Sequence, residues 1–79
     1  MLKAHLTEKD RLCTRLSKYV YGEIRSRGLS QEKVAKEMGT SQAALSYKLR
    51  KSSFSYLDFL FFIKYFKPTE QELLYIIGF

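Results

Sequence analysis

The sequence is poor in the residues that staple or ligate. Of its 79 residues, one is a cysteine, Cys13, and one a histidine, His5. A single thiol builds neither a disulfide framework nor a Cys-based metal site. His5 has no Cys or His companion to share a metal, and no nucleophile with which to form a dyad. Cys13, between Leu12 and Leu16, reads as a small packing residue on a helix. No run approaches the roughly 20 uncharged apolar residues of a membrane span. The opening MLKAHLTEKD has no apolar stretch of the secretory kind. Gly-rich phosphate loops, repeats, low-complexity tracts and Gly/Ser linkers are all missing. Asp58, Glu70 and Glu72 could pass for acid catalysts, but they stand at helix starts where capping accounts for them. The expectation is one non-enzymatic domain without cofactor or metal, in a reducing, cytoplasmic compartment. Nothing marks a small-molecule ligand or a membrane partner, and no room is left for a separate effector or self-cleavage domain.

Core material, by contrast, is plentiful. Six Phe, six Tyr and many Leu, Ile and Val exclude disorder over most of the length. A chain this short buries only about two-thirds of its surface, so that supply must be well used. The net charge is +6 and unevenly placed. Residues 25–51 hold seven cations (Arg25, Arg27, Lys33, Lys36, Lys48, Arg50, Lys51) against Glu32 and Glu37, a net of +5; residues 1–24 are +2 and residues 52–79 are −1. Basicity concentrated in the middle third is what a polyanion selects, although a merely solvated face has the same composition.

Punctuation cuts the chain into five helical segments. Over 8–27, Leu12, Leu16, Val20 and Ile24 recur at steps of four, Thr7 is placed to cap, Asp10 follows three residues later, and Gly28 ends the helix. Ser30 caps a second helix, 31–38, with Val34, Ala35 and Met38 on one face and Gly39 as its stop. Ser41 caps a third, 42–50. The second and third are too short to stand alone and must pack on each other. Ser55 and Asp58 form a capping box for a fourth helix, 56–66, with Phe54 and Phe59 at the staple positions and Lys67-Pro68 at its end. Thr69 and Glu72 open a fifth, 70–77, closed by Gly78. No segment alternates as a strand does. The fold class is all-α.

The central LSQEKVAKEMGTSQAALSYKL resembles the helix-turn-helix of the lambda-repressor and Cro family, over roughly 9–77 and most sharply over 29–58. Ala35 stands where two helices cross, Gly39 where the turn needs positive φ, and Leu45 where the second helix packs on the first. The stretch LSYKLRKSSFSYLD looks like a phage-associated branch. Two departures stand out: Lys48 where most members carry Ile or Leu, with Leu49 one place later, and no Gly after the helix, where Lys51 and Ser52 stand. The first implies a rotated or widened last turn. Thr40 replaces a usual aliphatic residue, with its methyl able to face inward. The resemblance implies a compact five-helix lambda-repressor-like DNA-binding domain, with its helix-turn-helix at about 31–50.

In that family the first residues of the second helix meet base edges. Carried over, these are Ser41, Gln42, Ala43, Ser46 and Tyr47. The Gln42 amide suits adenine N6 and N7, and the Ala43 methyl suits a thymine methyl. Gln31 is similar to the glutamine with which the lambda repressor contacts a phosphate and braces the base-reading glutamine. Phosphate contacts fall to Gln31, Lys33, Lys36, Lys48, Arg50, Lys51, Ser52 and Ser53. Both glutamines also fit as plain exposed first-turn residues.

The segment YLDFLFFIKYF is apolar almost all round, and the last helix repeats the excess. An exposed apolar patch buried by a self-complementary dimer is one reading, a fully used compact core the other. The resemblance favours a homodimer, with Phe62, Phe66, Leu74, Tyr75, Ile76 and Phe79 as its interface. The expected function is then a transcriptional regulator, a phage-type repressor binding a palindromic double-stranded DNA operator in the cytoplasm or nucleoid. A protein-binding adaptor on the same scaffold and an RNA-binding module are the rivals.

Overall fold

The computed structural model of the chain describes residues 7–79; His5 lies outside the described residues. Five helices follow in order: α1 (Glu8–Ser26), α2 (Gln31–Met38), α3 (Gln42–Lys51), α4 (Tyr56–Phe66) and α5 (Glu70–Ile77). There is no strand among the described residues, and none of their helices is long and apolar enough to cross a membrane. The expected segments match to within a residue. α1 stops at Ser26 with Arg27 as its cap, and α3 runs on to Lys51.

All five starts are made by side chains three residues from the groups they satisfy. Thr7, Ser30, Ser41, Ser55 and Thr69 accept from the backbone N–H of Asp10, Lys33, Ala44, Asp58 and Glu72. At α1, α4 and α5 the acid returns the bond to the cap N–H, completing the box. Each such cap stabilises its helix by about 1 kcal/mol.

α1 is the spine, packed on α3, α4 and α5. Its buried Leu16 and Val20 join Val34 and Ala35 of α2, Leu45 and Leu49 of α3, Phe62 and Phe66 of α4 and Ile76 of α5 in one cluster. It also closes the far ends of three helices, whose last carbonyls lack partners within the helix. Ser17 Oγ donates to Leu49 O at 2.7 Å in α3. Arg27 Nη2 donates to Phe66 O at 2.6 Å in α4, with its guanidinium over the Phe66 ring and Glu23 bridged at 2.8 Å. Arg15 Nε and Nη2 donate to Ile76 O and Ile77 O of α5 at 3.0 and 3.1 Å. Gly78 follows with φ 100°, and a Cβ there would lie 2.5 Å from Arg15 Nη2.

The expected dimer surface needs correction. Phe62, Phe66 and Ile76 are fully buried within the single chain. Phe62 meets Phe54 edge-on and stacks with Phe66, which meets Tyr19 edge-on. These rings fill the space between α4 and α1 and leave nothing for a partner to touch. Leu74, Tyr75 and Phe79 do face outward, joined by Ile77. A second exposed apolar pair, Tyr56 and Leu57, starts α4.

Candidate nucleic-acid interface

α2 and α3 form a tight helical pair. Gly39 takes φ 84°, ψ 28°, which a side chain strongly disfavours, and Thr40 N–H reaches back to Ala35 O at 2.9 Å. Thr40 is half-buried. Val34 and Ala35 are buried on α2, Leu45 and Leu49 on α3. A small side chain at Ala35 suits that close approach.

Leu45 and Leu49 are one helical turn apart and share the buried face. The last turn of α3 stays α-helical and is not widened, and the core place falls at Leu49 instead of position 48. Lys48, three residues after Leu45, turns toward α4. Its Nζ lies 2.6 Å from Asp58 Oδ2. That oxygen also accepts the Ser55 N–H at 2.9 Å. Burial alone would push the Asp58 carboxyl up; the Lys48 ammonium and the Ser55 hydrogen bonds outweigh it and hold the group below its ordinary value. Lys48 is thereby engaged by Asp58 in the free chain, with its side chain still about a third exposed at 32%.

Opposite the buried face, Ala43, Ser46, Tyr47 and Arg50 stand at i, i+3, i+4 and i+7, one stripe of α3. Ala43, Tyr47 and Arg50 are exposed and Ser46 is half-exposed. The Arg50 guanidinium lies 5.7 Å from the centre of the Tyr47 ring, so Arg50 lies with the stripe. Gln42 is exposed at the start of the helix, whereas Ser41 Oγ is engaged as the cap, accepting from Ala44 N–H at 3.1 Å. Gln31 is half-buried. Among the described residues no hydrogen bond joins it to Gln42, so the expected brace is not made in the free chain.

Lys36, Arg50, Lys51 and Ser53 are exposed around this surface. Lys33 keeps only a long contact with Glu37, 3.9 Å. Arg27 turns to the end of α4 and Lys48 to Asp58, so the cations flanking the stripe are fewer than the charge of residues 25–51 implies. Ser52 takes the left-handed conformation, φ 51°, that a glycine would otherwise fill. The chain turns there without a glycine, and α3 still ends cleanly, with Ser53 N–H bonded to Lys48 O at 3.0 Å.

Comparison of the chain with family models, with curated proteins and with solved structures returns no match.

Proposed function

We propose that the chain is a sequence-specific double-stranded DNA-binding regulator of the lambda-repressor type, in which α2 and α3 form the helix-turn-helix and α3 reads bases. The observation that carries this reading is the outward stripe of Ala43, Ser46, Tyr47 and Arg50 beside Gln42, on a short helix fixed by a left-handed Gly39 turn and flanked by exposed cations. Gln42 and Ala43 act at base edges, with Ser46, Tyr47 and Arg50 behind them. Gln31, Lys33, Lys36, Lys51, Ser52 and Ser53 serve the phosphates. Ser41 holds the helix end.

A repressor of a palindromic operator is the role proposed, in the cytoplasm of a bacterial or phage-infected cell. Its dimer would pair through Leu74, Tyr75, Ile77 and Phe79, setting two α3 helices about 34 Å apart, one turn of DNA.

Selection of bound duplexes from a random pool tests this directly. The expected result is a palindromic site. Gln42→Ala should flatten preference at one A·T pair, a loss of about 1–3 kcal/mol, and leave the salt dependence nearly unchanged. Unaltered preference at every base would remove α3 as the reading helix. Equal affinity for single-stranded RNA would move the function to RNA, and no binding to either nucleic acid at low salt would favour a protein-binding adaptor.

A further inference from the structure

A concave apolar site lies between α1 and the start of α4, and at Lys9, Phe54 and Ser55 it adjoins the side of α3 that carries Tyr47. Lys9, Leu12, Cys13 and Leu16 stand at i, i+3, i+4 and i+7 on α1 and form one wall. Phe54 and Phe59, the staple pair around the start of α4, form the other. The space between them is about 390 Å³, within the range of small-molecule sites, which are mostly apolar with a few polar groups at the edge. Cys13 and Leu16 close the bottom; Leu12 and Phe59 are left half-buried.

The polar content of the groove is small and of one sign. Lys9 is the only charged residue lining it. Lys9 is exposed and forms no ion pair among the described residues. The Ser55 hydroxyl beside it already accepts the Asp58 N–H. An apolar trough with one uncommitted ammonium at its rim matches an apolar body carrying one anionic group.

We propose that this groove binds a small amphipathic carboxylate of the medium-chain fatty acid class. The chain lies along Leu12 and Phe59, over the edge of Phe54, and the carboxylate pairs with the Lys9 ammonium. The proposal does not rest on the DNA-binding reading, although Lys9, Phe54 and Ser55 also border Tyr47 and Ser53 of that surface.

The test is an NMR titration of the whole chain with butyrate, hexanoate and octanoate, and with octanol and octylammonium as controls. Shifts should centre on Leu12, Cys13, Leu16 and Phe59. Affinity should climb about two- to fourfold for each added methylene, as burial of the chain requires. Octanoate should outbind octylammonium, and Lys9→Glu, an exposed change that leaves the fold intact, should reverse that order. Affinities independent of chain length, shifts centred elsewhere, or an unchanged order in the Lys9→Glu variant would overturn the proposal. So would a dimer in sedimentation whose dissociation exposes these same residues, because a second copy would then own the groove.

Discussion

Lys48 in the last turn of α3 and Asp58 in the first turn of α4 are joined by a 2.6 Å charged hydrogen bond, and the Asp58 oxygen that receives it also completes the α4 capping box. One carboxylate therefore fixes the angle between two helices and the start of one of them. Asp58→Asn should lower stability by about 2 kcal/mol, since the bridge is only partly buried. The sign with pH follows from the lowered value of the folded-state group. Its contribution is complete above the ordinary carboxylate value near 3.8 and is lost as pH falls through the lower folded value. Urea unfolding of both proteins from pH 7 to 2 should show the two stabilities converging in acid. In DNA binding, Lys51→Met should reduce the salt slope by about one and Lys48→Met should hardly change it; equal effects would place Lys48 in the phosphate set.

Ser52 and Lys67 end their helices in the left-handed region, at φ 51° and 53°. Neither has a glycine's freedom there. Ser52→Gly should stabilise the chain by roughly 0.5–1 kcal/mol, and Ser52→Val should destabilise it by more. Thermal unfolding distinguishes this from a helix that simply frays at Lys51, in which case both changes would be neutral.

Tyr19 is buried, and its hydroxyl has no hydrogen-bond partner among the described residues. Burial pushes the phenol up to about 12, with the Glu23 and Glu72 carboxylates adding to the shift and Arg27 opposing it. Between about pH 10 and 12 the folded state keeps a proton that the unfolded chain releases, so stability falls as pH rises through that window. The fall is on the order of 2–3 kcal/mol. Tyr19→Phe should abolish this component and gain about 1 kcal/mol at neutral pH. Unfolding curves that keep the same alkaline slope in the variant would contradict the account.

The outward face of α5 bears on the proposed dimer. Phe79 is 94% exposed and Tyr75 47%, so Tyr75→Glu should leave the fold unharmed. In sedimentation it should convert a dimer to a monomer and weaken binding to a palindrome far more than to a half-site. A parent protein already monomeric at high concentration would end the dimer proposal.

What could be read from the residues divides by distance along the chain. The caps at Thr7, Ser30, Ser41, Ser55 and Thr69 act on groups three residues away, and each is visible in the letters alone. The left-handed turn at Gly39 is local too. α4 is different: apolar residues on all sides give no periodic clue to which face is inward, so Phe62 and Phe66 could not be told from Tyr56 and Leu57. Lys48–Asp58 crosses a turn, and the α1–α4 groove needs both helices in place. Its only sequence signal was the staple pair Phe54 and Phe59, which marks a helix start but not the hollow left beside it. Arg15 gave no sign of its role, because its partners are backbone carbonyls 61 and 62 residues away.

That separation has a kinetic meaning. The α2–α3 pair closes over a short stretch of chain, whereas the Arg15 bonds close a loop of 61 residues, at an added entropic cost of roughly 1–2 kcal/mol. Docking of α5 onto α1 should then come late in folding and early in unfolding. Arg15→Ala should accelerate unfolding while leaving the folding rate almost untouched, so the last helix acts as the latch that sets the lifetime of the native state.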